Sequence, residues 1–257
     1  PDTVEKAYLV SESGNGLATS REVIDNEDGT KTWILTFSLA TKGNRTVAVF
    51  SLEMSREQLI SRMLSADALI QGSQLRTGNL SVDEWTKVAV SAQNIARMPM
   101  YIDDSAGITV AEMKAKLRRV PNLGLVVIDY LQLMSSGRRI DNRVQEVSEI
   151  TRNLKVMAKE LDVPIITLSQ LSRSPDKRTG DHRPVLSDLR ESGSIEQDAD
   201  LVMFLYRDEY YNDDSEDKGV AEVIVAKNRH GATDTVKLAF DGQHTRFLSR
   251  ELFRDAP

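Results

Sequence analysis

A single carboxylate, Asp129, closes the apolar run Gly124-Leu-Val-Val-Ile-Asp129. A run without polar alternation reads as a central parallel strand buried on both faces. The C-terminal end of such a strand is where open α/β sheets bind ligands. A carboxylate there can hold a hydrated Mg²⁺ beside a nucleotide; taken alone, it is equally an ordinary strand ended by a polar residue. Two further groups follow strands in the same way. Glu53, in Ser51-Leu-Glu53-Met-Ser55, can polarise a water for attack on a γ-phosphate, or be a solvated loop residue. Gln170, in Leu168-Ser-Gln170-Leu-Ser-Arg173, can hydrogen-bond a phosphate or that water without adding charge, or be a polar loop residue.

The cations fall in loops. The stretch from Arg173 to Arg190 holds Arg173, Lys177, Arg178, His182, Arg183 and Arg190 against three Asp, and runs on through Glu191, Ser192 and Gly193. So long a polar stretch between two buried strands is uncommon in a compact domain. Its guanidiniums and Ser-Gly amides suit phosphate oxygens, although a surface loop has the same composition. Arg138, Arg139 and Arg143 form a second cluster. Lys227-Asn-Arg229-His-Gly231 closes what reads as an edge strand. In a ring such a turn can reach a neighbour's nucleotide as an arginine finger; in a monomer it is a basic turn.

The elements that must carry these groups alternate from residue 46 to 206. Thr46–Ser51, Met100–Asp103, Pro164–Ser169 and Leu201–Tyr206 read as strands beside the Asp129 strand. Ser55 with Gln58, Ser81 with Glu84, and Thr109 with Glu112 have capping-box spacing and open helices, the last two near 82–96 and 110–119. Val144, Val147, Ile150, Leu154, Met157, Ala158 and Leu161 mark a long amphipathic helix. This alternation predicts a mainly parallel, three-layer α/β sheet. Ala221–Lys227, Thr235–Phe240 and Thr245–Ser249 are separated by short turns and predict an antiparallel C-terminal extension. Residues 1–39 differ: Val4–Val10, Leu17–Ile24 and Thr32–Phe37 read as a β-meander. The chain thus divides into an atypical β-rich segment, 1–39, and a main domain, 40–257.

With 257 residues, 40% of them apolar, the chain supports a packed core. No stretch approaches a membrane span and no signal-peptide layout is present. The absence of Cys excludes disulfides and thiolate metal sites; a cytoplasmic protein fits. His182, His230 and His244 have no metal-ligand spacing and read as surface residues. A net charge of −6 argues against a globally basic nucleic-acid binder, but does not exclude a basic lining confined to loops.

In their order, Phe50–Ser55, Arg76–Asn79, Val127–Leu133, Leu168–Arg173, Leu189–Asp200, Tyr206–Asp208 and Lys227–Arg229 resemble the C-terminal motor domain of DnaB-type replicative DNA helicases, of the RecA-like superfamily. The resemblance spans about Ala40 to Leu248. It implies a RecA-like three-layer sandwich and a hexameric homo-oligomeric ring translocating on single-stranded DNA, with ATP and Mg²⁺ as cofactors. Primase and a helicase loader are the further partners it implies, and no membrane. It implies Glu53 as catalytic base, Asp129 as a water-mediated Mg²⁺ ligand at the nucleotide, and Gln170 as γ-phosphate sensor. Lys227 and Arg229 would act in trans, and Arg207 would lie near the nucleotide. Arg190, Glu191 and Gly193, with Arg183, would grip DNA.

The family's Gly-rich P-loop is where this sequence departs. The pattern G-x-x-x-x-G-K-[ST] occurs nowhere; Ser13-Gly-Asn-Gly-Leu-Ala-Thr-Ser20 has glycines and hydroxyls without Lys, and Lys42-Gly43 has the wrong order. The family's collar domain and linker helix have no counterpart in these residues either. Residues 1–39 are open to reading as a divergent replacement, a fused fragment or a misjoined frame. Function therefore divides between an ATP-driven helicase motor and an ATPase-deficient, helicase-like module for DNA binding or assembly. A recombinase-type RecA-like ATPase is disfavoured by Phe50–Ser55 and Arg190–Asp200.

Overall fold

The computed structural model describes residues 6–11, 44–172, 174–175, 178, 180–189 and 192–249, the first range by its backbone alone. Nine strands form one sheet among them. They are β1 (Lys6–Ser11), β2 (Thr46–Ser51), β3 (Met100–Asp103), β4 (Leu123–Asp129), β5 (Ile165–Gln170), β6 (Leu201–Tyr206), β7 (Val220–Asn228), β8 (Thr235–Asp241) and β9 (Arg246–Ser249). The helices are α1 (Arg56–Ala68), α2 (Gly72–Thr77), α3 (Val82–Arg97), α4 (Val110–Leu117), α5 (Arg143–Leu161) and α6 (Ser192–Asp198). All three predicted capping boxes are formed, at Ser55, Ser81 and Thr109. Each closes two backbone donors that a helix N-terminus leaves open, which is why those starts are readable from sequence.

The strand order is β3-β2-β4-β5-β1-β6-β7-β8-β9. β2 pairs in parallel with β3 and β4, and β4 with β5. The chain leaves β2 outward to β3 and then crosses back to β4, on the other side of β2. That reversal opens a crevice at the C-terminal ends of β2 and β4. From β1 to β9 every pairing is antiparallel. The expected α/β architecture with an antiparallel C-terminal extension is present.

Two expectations change. The sequence pattern predicts residues 1–39 as a meander apart from the main sheet. Its first strand is β1, and β1 lies inside that sheet, antiparallel to β5 and β6, with Lys6 opposite Gln170 and Val10 opposite Leu201. Inserted there, it satisfies facing backbone edges that β5 and β6 would otherwise leave open. The other two predicted strands, 17–24 and 32–37, lie outside the described residues. The pattern also predicts Lys227 on an edge strand; β7 pairs with β6 on one side and β8 on the other, and the edges are β3 and β9.

The main core lies on one sheet face, where Ala48, Phe50, Val126, Ile128, Ile165, Val202 and Phe204 meet α4, α5 and Ile195 of α6. On α5 five of the seven predicted periodic residues, Val147, Ile150, Leu154, Met157 and Ala158, are buried, while Leu161 is half-buried and Val144, in the first turn, is exposed. Phe50 is fully buried, so truncating it to Ala costs about 3–5 kcal/mol. Val47 and Leu125 face the other side and are buried there. This packing fixes β2 against β4, and so fixes the crevice.

Candidate functional site

At the crevice, Ser51 is the register partner of Asp129, and Leu52 N–H donates to the Asp129 carbonyl at 2.7 Å. Glu53 follows on the next residue, exposed, while Asp129 is half-buried. The buried Ser51 hydroxyl donates to the Met54 carbonyl at 2.8 Å and so shapes this turn. The Asp129–Tyr130 peptide bond is cis. Asp103 ends the neighbouring strand β3 on the same side. Burial pushes its pKa up, but the Lys116 ammonium at 2.6 Å, Ser105 and the Tyr101 hydroxyl outweigh this and hold it at about 2. No group of three or more His, Asp or Glu among the described residues is arranged to hold a metal. A cation beside Asp129 would therefore keep most of its ligands as water, which suits Mg²⁺.

Gln170 ends β5 and is fastened to the Asp129 segment. Gln132 lies on the 3₁₀ turn Leu131–Leu133. Its Oε1 accepts Gln170 N–H at 3.1 Å, and its Nε2 donates to Ser169 Oγ at 2.9 Å. Arg143 Nη2, from α5, donates to the Gln132 carbonyl at 2.8 Å. These bonds join the ends of β4 and β5. Arg207 follows β6 on the same side. Its guanidinium pairs with Glu209 and stacks over the Phe240 ring at 4.1 Å.

The long polar loop is anchored at several points. Leu171 bridges Leu189, both buried. Arg178 pairs with buried Asp188. Arg183 donates through Nε and Nη2 to both Glu222 oxygens, at 2.7 and 2.8 Å, and stacks 5.1 Å above the Tyr206 ring. The fork of Arg183 is thus engaged with buried Glu222, and Nη1 lies 3.3 Å from Asp181. His182 stacks on Tyr211 and is half-buried, as is His244 beside Asp241, so two of the three histidines are not plain surface residues. Gly193 is exposed in α6. Arg190 and Glu191 lie outside the described residues.

Lys227 and Arg229 stand elsewhere. β7 runs opposite to β4, and four strand steps separate the two. Across and along the sheet this places them on the order of 25 Å from Asp129 of the same chain. Lys227 Nζ donates to the carbonyls of Glu196 and Ala199, and Arg229 Nη2 to that of Gln197 at 3.1 Å. Arg229 Nη1 lies 2.9 Å from Asp200, which also pairs with Lys155.

The described residues fit the two cofactor parts unequally. Asp129 and Glu53 suit a hydrated Mg²⁺. A phosphate cradle beside them needs a strand whose C-terminal end turns into a helix on the same side as Gln170. The strand next to β5 is β1, and it runs the other way, with its N-terminal end at Gln170. Among the described residues no strand-to-helix turn reaches the crevice there, so these residues do not supply the phosphate part.

Three residues that position this machinery escape a reading of the sequence. Gln132 sits inside a quoted motif, three residues past Asp129, and that spacing is its only signal. Glu222 and Asp200 are acidic residues buried at 4% exposure; their cationic partners Arg183 and Arg229 lie 39 and 29 residues away, so no local pattern marks them.

The profile of the family described as "DnaB-like helicase C terminal domain" matches residues 30–249. Similar proteins include "Replicative DNA helicase DnaB" of Geobacillus stearothermophilus, 53% identical over 218 residues, which covers 83% of this chain and 48% of that protein. "Replicative DNA helicase DnaC" of Bacillus subtilis (strain 168) is 52% identical with the same coverage. The chain thus spans about half the length of these curated relatives. A Mycobacterium intracellulare "Replicative DNA helicase DnaB" is 43% identical over 252 residues, 96% of this chain and 44% of that protein, so that match reaches into residues 1–39. Among solved structures, one described as an ATPase domain aligns with TM-score 0.79 and 40% identity, covering 82% of this chain and 76% of that one. "The Structure Of A DnaB-Like Replicative Helicase And Its Interactions With Primase" aligns at 0.78 and 40%, covering 82% and 52%.

Proposed function

Because the chain belongs to the DnaB-like helicase C-terminal domain family, we propose that it is the motor region of a replicative DNA helicase. It works as one subunit of a head-to-tail hexameric ring that moves on single-stranded DNA with ATP and Mg²⁺. The observation that carries this reading is the crevice where β2 reverses to β4. It brings Glu53 and Asp129 to one edge of the sheet, with Gln170 joined to the turn after Asp129 through Gln132; in this reading Glu53 is the base and Asp129 the water-mediated Mg²⁺ ligand. Lys227 and Arg229 lie too far from Asp129 of their own chain to serve it. They act on a nucleotide across a subunit boundary, which needs a head-to-tail arrangement rather than a two-fold dimer. Arg207 lies on the nucleotide side of the sheet.

Arg190, Glu191 and Gly193 grip DNA through its backbone, so binding is tolerant of sequence and falls steeply with salt. Arg183, tied to Glu222, contributes by anchoring that loop. Primase, named for one similar structure, and a helicase loader are the further partners.

The direction of β1 favours a second reading of the 257 residues themselves: a module that binds DNA and joins rings without turning over ATP at its own crevice. Binding of a labelled oligo-dT across a salt series tests the DNA assignment common to both. Weak binding without salt dependence would sink it.

A further inference from the structure

Arg229 is held by a carboxylate whose charge a second cation already answers. β6 starts at Leu201, opposite Asn228 of β7. One step further, the backbone N–H of Arg229 donates to the Asp200 carbonyl at 2.8 Å. The two residues therefore face each other across the strands, where side chains meet. Oδ1 of buried Asp200 lies 2.9 Å from Arg229 Nη1, and its Oδ2 takes Lys155 of α5. Arg229 Nη2 donates to the Gln197 carbonyl at 3.1 Å. A guanidinium carries five N–H donors in a fixed fork. Here each terminal nitrogen is engaged from its own chain, yet the side chain is still 46% exposed. The fork is fixed on one side and open to solvent on the other. Two cations against one carboxylate leave these three side chains a net positive charge, and Arg229 is the exposed member.

The turn that carries Arg229 is built to match. Asn228 Oδ1 accepts His230 N–H at 3.1 Å, and its Nδ2 donates to the Ala232 carbonyl at 3.2 Å. A Cβ on Gly231 would stand 2.6 Å from that Nδ2, so the turn closes only over a glycine.

We propose that Asp200 is the positioning residue for Arg229 in its action on a neighbour's nucleotide, and that Lys155 balances Asp200 so that the Arg229 charge stays available to a phosphate. A guanidinium already held in place loses little freedom when the phosphate arrives. Its charge is then preorganised for the transferring group. This role rests on the reading that Arg229 acts across a subunit boundary, and it names what holds Arg229 ready there.

The test uses rings mixed from full-length subunits of a DnaB-type relative and this chain, compared at equal incorporation by mass, with ATP turnover as the readout. Asp200→Asn keeps the shape and gives up the charge that holds both cations. It should lower turnover about threefold per incorporated chain, the effect of having to order one long side chain anew. In an Arg229→Ala background it should lower turnover no further, because it acts through Arg229. Lys155→Met leaves the Asp200 charge to Arg229 and should also slow turnover, while Lys155→Arg should restore it. These two variants keep Asp200 and decide the matter if Asp200→Asn does not assemble. Unchanged or faster turnover for Asp200→Asn or Lys155→Met, with Arg229→Ala slow, would overturn the proposal. So would an equal loss with and without Arg229, which marks a merely structural role. If Arg229→Ala itself leaves turnover unchanged, the reading in trans fails and the positioning role falls with it.

Discussion

Gln132 Oε1 accepts the backbone N–H of Gln170 at 3.1 Å, joining the turn after Asp129 to the end of β5. The neighbouring Ser169 is fully buried, and its hydroxyl accepts from the same amide. Gln132→Leu keeps the bulk and removes both partners, leaving buried polar groups unsatisfied. It should destabilise the chain by about 2 kcal/mol in urea unfolding. Ser169→Ala should cost less in that background than alone, since the two share one hydrogen bond. Additive losses would show that Gln132 does not fasten the two strands.

Asp103 sets a pH window. Its folded pKa is depressed from 3.8 to about 2, because Lys116, Ser105 and Tyr101 outweigh the effect of burial. A group depressed on folding stabilises above its unfolded value and loses that contribution as pH falls through the folded one. Its contribution is therefore full above about pH 4 and fades between roughly 4 and 2. Lys116 is partly exposed, which screens the pair, so Asp103→Asn should cost about 1–2 kcal/mol at pH 7. At pH 2 the variant and the parent should be within a few tenths of a kcal/mol. An equal loss at both pH values would point to packing instead of charge.

Arg183 and Glu222 form a two-point pair whose acid is buried and whose base is partly exposed. Arg183→Ala leaves a buried carboxylate without its partner and should destabilise by about 1–2 kcal/mol after allowance for solvent. Glu222→Gln in that background should recover part of the loss. Oligo-dT binding should weaken in Arg183→Ala with its salt slope intact, because the loop loses an anchor and no phosphate contact. A slope lowered by about one would make Arg183 a DNA ligand.

Local chemistry is readable in the residues, and long-range pairing is not. Ser55, Ser81 and Thr109 announce their helices within four residues, and the run into Asp129 announces a buried strand. The periodic apolar face of α5 does the same. The six-residue α2 has no such face or cap, with no buried side chain and no side-chain cap bond, and nothing in the sequence marks it. The site of β1 between β5 and β6, and the two-sided pairing of β7, depend on partners far along the chain. Arg183 looks like a free cation until Glu222, on another strand, comes beside it.

The direction of β1 makes a prediction about nucleotide. With its N-terminal end at Gln170, β1 brings no strand-to-helix turn to Asp129 among the described residues. Equilibrium dialysis of labelled ATP with Mg²⁺ should give an affinity at least tenfold below that of the Bacillus subtilis relative measured alongside, a difference of about 1.4 kcal/mol or more. Low-micromolar binding with turnover that Glu53→Gln abolishes would mean this chain completes its own site.

Membership in a ring, with cations acting on a neighbour's nucleotide, is tested most directly by mixing. Full-length subunits of a DnaB-type relative are combined with this chain, either unmutated or carrying Arg229→Ala, and ATP turnover is followed without DNA. Incorporation is checked by the mass of the assembled rings. Rings containing Arg229→Ala should turn over ATP more slowly than rings containing the unmutated chain, because Arg229 acts on a site across the subunit boundary. Equal turnover at equal incorporation would contradict it.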